Sequence, residues 1–423
     1  MAPVIQTLVV SLLLGLASAQ GLAGKTREVH PKLTTYKCTK RGGCKKQTNY
    51  VVLDSATHPI YQKNNPKLGC GNWGSGPNAT VCPDEKTCAK NCLIDGISDY
   101  SKYGVTTSGD AVHLDMLKNS DLSVLSPRIY LLHSDKHKYE MLQLTGQEFS
   151  FDVDVSKLPC GMNGALYLSE MHKYGGNHYL NKAGAELGAG YCDAQCYATP
   201  FIDGVGNIGG KGACCPEMDI WEANREATQY APHPCNITGP YKCTGDECGW
   251  DGVCDEWGCG QNAYLNGAPS FYGPGPSFKL NTLKPFTVVT QFDADRRGKL
   301  VSYHRYYIQN RKRIDPPKAT QPHLPPVNHM DDAYCAATGG ATRYLDLGAT
   351  EEMGDALSRG MVLAMSVWWD EGGFMNWLDS GNSGPCDATE GSPATIKSIQ
   401  PDTSVTFSKI MWGDIGSTHP ECR

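Results

Sequence analysis

Apolar and polar residues alternate along much of this chain, and such alternation predicts β-strands rather than helices. Clusters of Gly, Pro and Asn separate the runs, as in antiparallel sheets that pack face to face. We therefore predict an all-β fold, a curved antiparallel β-sandwich with long loops. The predicted strands cover residues 50–53, 128–132, 148–155, 165–171, 217–222, 286–293, 299–309, 360–368 and 405–412.

Helical and turn signals are few. Asp84 is placed to cap a short helical turn that carries Cys88 and Cys92, and residues 351–359 predict a second short helix. The segment 295–298, with the sequence DRRG, predicts a hairpin turn because its glycine can adopt a positive φ.

The first residues predict export from the cell. An apolar run at residues 8–16 is followed by Ala17-Ser18-Ala19, which is the pattern of a signal peptide over residues 1–19. This run is too short to span a membrane. No linker or repeat divides the remaining chain, so we expect a single domain over residues 20–423 and a secreted, extracellular protein.

Nineteen cysteines in a secreted chain predict a disulfide framework. The spacings Cys82-x5-Cys88 and Cys192-x3-Cys196 would suggest zinc in a cytosolic protein, but export makes disulfides the better interpretation. An odd count leaves one thiol over, and Cys422, next to the C-terminal residue, is the candidate.

Charge and motifs argue against several classes of function. A formal net charge of −6 argues against a nucleic-acid partner. The sequence contains no HExxH and no GxSxG, so metalloprotease and serine-hydrolase chemistry have no support. Residues 204–209 match GxGxxG, but no helical pattern follows them, and we interpret them as a surface loop. Asn78 and Asn236 begin N-glycosylation sequons, which mark surface loops where they are used.

The candidate chemistry lies in one stretch, residues 217–222, with the sequence EMDIWE. Alternation places Glu217 and Asp219 on one face of a strand and sends Glu222 to the other. One extra residue bulging out near positions 220–221 would bring all three carboxyls to the same side. Bulges of this kind commonly re-aim a side chain next to an active site.

Crowded carboxyls disfavour full ionisation and raise one pKa. One protonated and one ionised carboxyl is what cleavage of a glycosidic bond requires. A solvated acidic edge and a calcium loop are the alternatives. A calcium loop would use more oxygen ligands and glycines, rather than Met, Ile and Trp between the acids. We therefore favour a catalytic carboxyl pair.

Tryptophans indicate the substrate class. A cleft for pyranose rings needs flat aromatic surfaces beside hydrogen-bonding side chains. Trp368, Trp369 and Trp377 surround an acidic, glycine-containing turn at residues 370–373. Because neighbours on a strand point to opposite faces, at most one of Trp368 and Trp369 faces the cleft. We assign Trp412 to the core.

The stretch 217–224, with the sequence EMDIWEAN, resembles the signature of family 7 glycoside hydrolases, the fungal endoglucanases and cellobiohydrolases. The resemblance implies a concanavalin-type jelly-roll sandwich that hydrolyses β-1,4-glucan with retention of configuration, using no cofactor and no metal. Similar stretches run through nearly the whole mature chain, at residues 39–44, 103–107, 158–163, 190–196, 281–286 and 361–366.

Residue roles follow from the matched positions. By resemblance Glu217 is the nucleophile, Glu222 is the general acid/base, and Asp219 tunes the nucleophile. His233 matches an assisting histidine near the acid/base. In a retaining enzyme the two carboxyls lie roughly 5–5.5 Å apart, whereas five residues of extended strand span about 16 Å. The bulge, strand curvature and long Glu side chains must together close that gap.

Six further positions match substrate-binding residues of the family, with two tryptophans as platforms on either side of the cleavage point. They are Asn163, Tyr167, Asp193, Gln195, Trp368 and Trp377. The resemblance also implies nine disulfides and again leaves Cys422 over. Their pairing would be 38–44, 70–92, 82–88, 160–386, 192–215, 196–214, 235–254, 243–248 and 259–335.

Loop lengths distinguish the two branches of the family, because cellobiohydrolases roof the cleft into a tunnel with long loops. Here only 17 residues separate Cys196 from Cys214, and five separate Cys248 from Cys254. Residues 52–59 also lack the tryptophans that tunnel-forming members carry at the entrance. We therefore expect an open groove and an endo-acting β-1,4-glucanase.

Two alternatives stay open. A cellobiohydrolase of the same family is disfavoured by the loop lengths, and a non-catalytic glycan-binding sandwich would not need three packed carboxyls. The expected partner is a β-1,4-glucan chain, with no nucleic acid and no membrane, and we expect a monomer. We see no cellulose-binding module, so we expect weak activity on crystalline cellulose.

Overall fold

Alternating residues form strands, as predicted, and sixteen of these strands join one hydrogen-bonded network. The computed structural model describes residues 21–72, 76–320, 324–338 and 341–419. Each predicted run overlaps a strand of this network. One strand begins at residue 43 rather than 50, and the other ends differ from the prediction by up to three residues. In chain order the strands are β1 Lys32–Thr39, β2 Gly43–Leu53, β3 Val105–Ser108, β4 Ala111–Asp115, β5 Arg128–Leu132, β6 Met141–Leu142, β7 Gln147–Asp154, β8 Met162–Ser169, β9 Glu217–Ala223, β10 Thr228–His233, β11 Phe286–Ala294, β12 Leu300–Gln309, β13 Lys312–Ile314, β14 His329–Met330, β15 Met361–Trp369 and β16 Ser404–Asp414.

The network folds over to make the predicted sandwich. Its spatial order is β10-β9-β8-β15-β5-β2-β1-β16-β7-β11-β12-β13, with β3, β4, β6 and β14 paired beside this path. Trp221 of β9 nevertheless lies 6.1 Å, between ring centroids, from Phe151 of β7. It also lies 5.8 Å from Phe286 of β11 and 6.5 Å from Tyr307 of β12. Strands from the two halves of the order therefore pack face to face around a shared apolar core.

A second apolar layer covers part of the opposite face of β8, β15 and β5. Tyr130, Tyr167 and Ala364 on these strands pack with side chains from the loops that follow β8. Tyr191 and Met171 belong to the same buried cluster. This half of the sandwich therefore buries side chains on both faces, and its outer face carries the candidate site.

Helices occupy connections between strands. Asp84 caps the first one, where its side chain accepts a hydrogen bond from the Thr87 backbone N–H at 2.8 Å, as predicted. Cys92 lies just after this helix in a short strand rather than within it, which corrects that expectation. The helices are α1 Glu85–Asn91, α2 Asp332–Thr338, α3 Thr342–Asp346, α4 Ala349–Arg359, α5 Asn376–Asp379 and α6 Pro393–Ile399, with 3₁₀ turns at Tyr100–Tyr103, Ala185–Leu187 and Gly245–Cys248.

Short ladders outside the main network complete the loops. One of them corrects the interpretation of residues 204–209 as a surface loop, because Gly206 packs so closely on α1 that a Cβ atom there would lie 2.4 Å from the Cys88 sulfur. The hairpin at residues 295–298 forms as predicted, with Gly298 at φ +81°. The ladders are formed by Gly21–Leu22, Ile60–Gln62, Asn65–Gly69, Cys92–Ile94, Gly71–Asn72, Gly76–Pro77, Phe201–Ile202, Val205–Gly206, Gly212–Cys214, Tyr241–Cys243, Tyr272–Gly273 and Leu280–Asn281.

The nine disulfides form with the pairing that the resemblance implied. Cys422 and the predicted signal peptide lie outside the described residues. Trp412 belongs to the buried core, as assigned. Within the described ranges, no helix combines the length and apolar character needed to cross a membrane.

Trp221→Ala tests how strongly the core supports the strand that carries the acids. Trp221 is fully buried among aromatic side chains from both layers. We expect the substitution to lower the free energy of unfolding by about 3–5 kcal/mol, because it removes a large apolar side chain and leaves a cavity. Denaturant unfolding measures this. The exposed Val301→Ala should change stability by no more than about 0.5 kcal/mol, and equal effects of both substitutions would contradict the assignment.

Candidate active site

One extra residue in β9 brings the three acids to one face, as predicted. Glu217 lies opposite His233 of β10, and Asp219 lies opposite Ala231. The register then shifts by one residue, so that Glu222 lies opposite Gln229. The partners on β10 are spaced by two residues and therefore share one face. The acids beside them share that face too, while Trp221 still points into the core.

The same bulge appears in the pairing of β9 with β8, where the register shifts between Leu166 and Leu168. Beyond β8 the pairing with β15 is regular, and Asn163 lies opposite Trp368. Alternation then places Asn163, Tyr167 and Trp368 on the same face as the acids. The site is therefore a strip that crosses β10, β9, β8 and β15.

Glu217 is buried and receives one backbone hydrogen bond. The Ala194 N–H donates to Glu217 Oε2 at 3.1 Å. Burial, together with the nearby carboxylates of Asp219 and Asp193, raises the pKa of Glu217 well above its usual value. The His233 cation and the Ala194 N–H act in the opposite direction, because both favour the ionised carboxylate. Ionising Glu217 therefore costs free energy, and the His233 cation and the Ala194 N–H reduce that cost.

Asp219 forms a buried ion pair with His233, whose Nε2 lies 2.9 Å from Asp219 Oδ2. The other ring nitrogen, Nδ1, lies 2.9 Å from the Asp255 backbone carbonyl. Burial alone would lower the pKa of His233, but the Asp219 hydrogen bond and the Glu217 carboxylate raise it to about 10. The imidazole is therefore a cation at neutral pH that forms an ion pair with Asp219 and donates from Nδ1 to the Asp255 carbonyl.

Glu222 is held by two side-chain amides. Asn163 Nδ2 donates to its Oε1 at 2.9 Å, and Gln229 Nε2 donates to its Oε2 at 3.1 Å. Burial and the Asp219 carboxylate raise the pKa of Glu222 to about 8, against the opposing effect of the amides. Near neutral pH this carboxyl carries a proton, as a general acid must.

The remaining predicted residues lie around this strip with different exposures. Tyr167 is buried, with its hydroxyl 3.1 Å from that of Tyr191. Asp193 is buried and accepts a hydrogen bond from the Tyr197 backbone N–H at 2.8 Å. Gln195 is exposed and donates to the Glu256 carbonyl at 3.2 Å. Asp193 and Tyr167 lie near Glu217, since both interact electrostatically with its carboxyl.

Asn163 has contacts to the protein at both ends of its side chain. The side chain is fully buried, its amide donates to Glu222, and its oxygen accepts from the Ala223 backbone N–H at 3.2 Å. These bonds hold Asn163 against the Glu222 carboxyl, and the expectation that it contacts sugar stays a prediction.

Trp368 and Trp369 point to opposite faces, as predicted. Trp369 is buried in the sandwich core, and Trp368 is half-buried on the face of the acids. Trp377, on α5, is also half-buried, and its ring centroid lies 6.4 Å from that of Trp368 with the planes 30° apart. The two indoles are therefore neighbours. The expectation that they lie on either side of the cleavage point stays a prediction.

Sequence reasoning missed two residues on this face. Arg128 of β5 is the lone cation in an apolar run, and its guanidinium lies 3.4 Å from the Tyr191 ring centroid. It also donates to Asp54 at 2.9 Å. A single charge inside an apolar strand was the signal available. Gln229, which binds Glu222, had no signal of its own, because its role depends on the bulge.

Groups of metal-ligand atoms that lie close together in the described ranges consist of disulfide sulfurs, in one case beside Asp379. Sulfurs committed to disulfides do not offer the thiolates that a metal site requires.

A β-sandwich that carries buried carboxyls with raised pKa values beside half-buried indoles fits a glycoside hydrolase. Residues 22–419 match the model of glycosyl hydrolase family 7. The chain is 56% identical to endoglucanase EG-1 of Humicola insolens over 412 residues, which is 97% of this chain and 94% of that protein. It is 58% identical to endoglucanase type C of Fusarium oxysporum, and the match covers 93% of this chain and 92% of that protein.

Solved structures support the same family. The native endocellulase EGI of Humicola insolens superposes with a TM-score of 0.90 at 56% identity, covering 93% of this chain and 99% of that one. A family 7 cellobiohydrolase from Daphnia pulex superposes with a TM-score of 0.88 at 36% identity, covering 94% of this chain and 100% of that one. The protein therefore belongs to glycosyl hydrolase family 7.

The raised pKa of Glu222 predicts how stability depends on pH. Between about pH 4.5 and 8 the folded protein keeps a proton that the unfolded chain has lost, so stability falls as pH rises through this window. We expect Glu222→Gln to flatten this fall, by up to about 1.4 kcal/mol per pH unit. Unfolding midpoints measured across this range provide the test.

Asp402→Asn is the matched control. The hydrogen bond from Lys157 lowers the pKa of Asp402, so its contribution to stability changes on the acid side of the window. This variant should keep the wild-type slope above pH 5. A Glu222→Gln slope identical to that of the wild type would show that Glu222 titrates normally.

Proposed function

We propose that this protein hydrolyses internal β-1,4-glucosidic bonds of cellulose and related β-glucans by a retaining double displacement. The observation that carries the proposal is the one-residue bulge in β9, which sets Glu217 and Glu222 on one face. The carboxyl separation of roughly 5–5.5 Å typical of retaining enzymes stays a prediction.

In the first step Glu217 attacks the anomeric carbon, and the glycosidic bond breaks as Glu222 transfers its proton to the leaving oxygen. In the second step Glu222 takes a proton from water, the hydroxyl oxygen bonds to the anomeric carbon, and Glu217 leaves as a carboxylate. The Ala194 N–H and the His233 cation support the charged form of Glu217. Asp219 tunes the nucleophile and also holds His233 protonated.

Sugar binding is assigned to the side chains around this pair. We propose that sugar rings stack on Trp368 and Trp377. Tyr167, Asp193 and Gln195 form hydrogen bonds with the sugar. The adjoining half-buried indoles support the first assignment, because aromatic faces match the apolar faces of pyranose rings.

Internal attack is favoured over attack from chain ends. The two loops bounded by Cys196–Cys214 and Cys248–Cys254 are short, and the curated relatives named above are endoglucanases. A structure similar to this one was solved as endoglucanase I in complex with cellobiose. These findings disfavour the cellobiohydrolase alternative.

We further propose a secreted, monomeric glycoprotein. The disulfide framework supports an oxidising compartment. Asn78 and Asn236 are both exposed, as acceptors of N-glycans must be.

Glu217→Gln tests the nucleophile and the mode of attack together. On soluble carboxymethylcellulose, the wild type should lower viscosity steeply while few reducing ends appear, because internal cuts shorten chains fastest. The variant should abolish both signals, since an amide cannot form the glycosyl–enzyme intermediate. A slow viscosity fall that tracks end formation would indicate exo attack, and activity surviving in the variant would mean another nucleophile.

The pH dependence of kcat/KM tests the acid. Activity should fall on the alkaline side as Glu222 loses its proton, with a limb near pH 8. Asn163→Ala removes a donor that favours the charged carboxylate, so the limb should move to higher pH while kcat falls. Lys157→Ala, at an exposed ion pair, should leave the profile unchanged. An unmoved limb in Asn163→Ala would assign the alkaline titration to another group.

A further inference from the structure

Two exposed tryptophans adjoin on the segment that follows β10. Trp250 and Trp257 are 53% and 58% exposed, and their ring centroids lie 5.1 Å apart with the planes at 60°. Single exposed apolar residues are ordinary on protein surfaces, but neighbouring ones form a patch that indicates binding. Indole is also the side chain with the largest aromatic face for a sugar ring to cover.

The backbone that carries this pair is tightly fixed. Disulfides Cys235–Cys254 and Cys243–Cys248 bracket the loop that carries Trp250. The Asp255 N–H donates to the Pro234 carbonyl at 2.9 Å, so the segment runs alongside the continuation of β10. A fixed backbone loses little conformational freedom when a ligand binds, which favours affinity.

The same segment forms a wall of the active site. The Asp255 carbonyl binds His233, and the Glu256 carbonyl accepts from Gln195 at 3.2 Å. Gly258 approaches the imidazole so closely that a Cβ atom there would lie 2.7 Å from His233 Cε1. Trp257 therefore sits between two residues that touch the site, at the margin of the groove.

Groups suited to a sugar lie on residues next to Trp257 in the chain or in contact with that neighbour. Gln195 offers an exposed amide, and Glu256 offers a half-buried carboxyl next to Trp257 in the chain. An aromatic face flanked by hydrogen-bonding groups is the chemistry that pyranose recognition needs. The 60° angle between the indoles prevents both rings from lying flat on one crystal plane, so the fitting occupant is a single glucan chain.

We propose that Trp257 is a stacking platform for a glucose unit of the substrate that lies beyond the cleavage point, and that Trp250 packs edge-on to hold its ring. This inference rests on the proposed function, because it takes the occupant to be the β-1,4-glucan that the groove cleaves. The pair then sets a preference for longer chains.

The test compares a long and a short substrate. Trp257→Ala should lower kcat/KM on cellohexaose by about 3- to 10-fold, mainly through KM, the size expected for one stacking contact. Hydrolysis of 4-nitrophenyl β-cellobioside, which is too short to reach the platform, should not change. Trp257→Phe should restore most of the loss, and Trp250→Ala should show a smaller loss. Val301→Ala, an exposed apolar position on β12, should match the wild type on both substrates.

A binding measurement separates this inference from the proposed function. In the Glu217→Gln background, calorimetry should show that Trp257→Ala weakens the binding of cellohexaose by a similar factor, while cellobiose binds as before. Equal losses on both substrates would mean that Trp257 acts through His233, and no loss would mean that it contacts no sugar. A loss of adsorption to microcrystalline cellulose alone would make it a surface anchor. Each of these outcomes overturns the platform, whereas a wild type inactive on both substrates with length-dependent binding intact overturns only the proposed function.

Discussion

The site depends on a conflict between two faces of one strand. β9 must keep Trp221 in the core and also present acids at both of its ends to the outer face. A strand of regular period two cannot do both, because Glu217 and Glu222 lie an odd number of positions apart. The single bulge removes this conflict, and the shift appears in the pairing with both neighbours. The core therefore holds the register that the chemistry requires.

Around the bulge, the protein buries several ionisable side chains close together. The acids and His233 are all buried, and each is matched by a donor or an opposite charge. The backbone N–H at Ala194 and the amide of Asn163 serve opposite ends of the strip. Because unpaired buried charges are costly, removing one partner should disturb the protonation of the others as well.

The sequence was informative where one local pattern decides the structure. The acid-apolar alternation of EMDIWE predicted the strand, and the position of Glu222 required the bulge. The family resemblance implied the disulfide pairing. The helices α2 and α3 were missed because they depend on loop packing rather than a strong apolar period. The contact between Asn163 and Glu222 was missed, since only the folded register shows that its amide meets this carboxyl. Gly206 looked like loop sequence, but its missing side chain allows close packing on α1.

The two adjacent cysteines before β9 have a consequence for local motion. Cys214 and Cys215 are bonded to Cys196 and Cys192, so the segment that supplies the Ala194 N–H is tied at both ends to the residues just before β9. The donor and its acceptor therefore move as one unit, and partial opening of this loop cannot separate them. Amide exchange here should follow cooperative unfolding of the sandwich rather than local fluctuation. In reducing solution the same loop would be released, so the geometry around Glu217 would depend on the redox state of the medium.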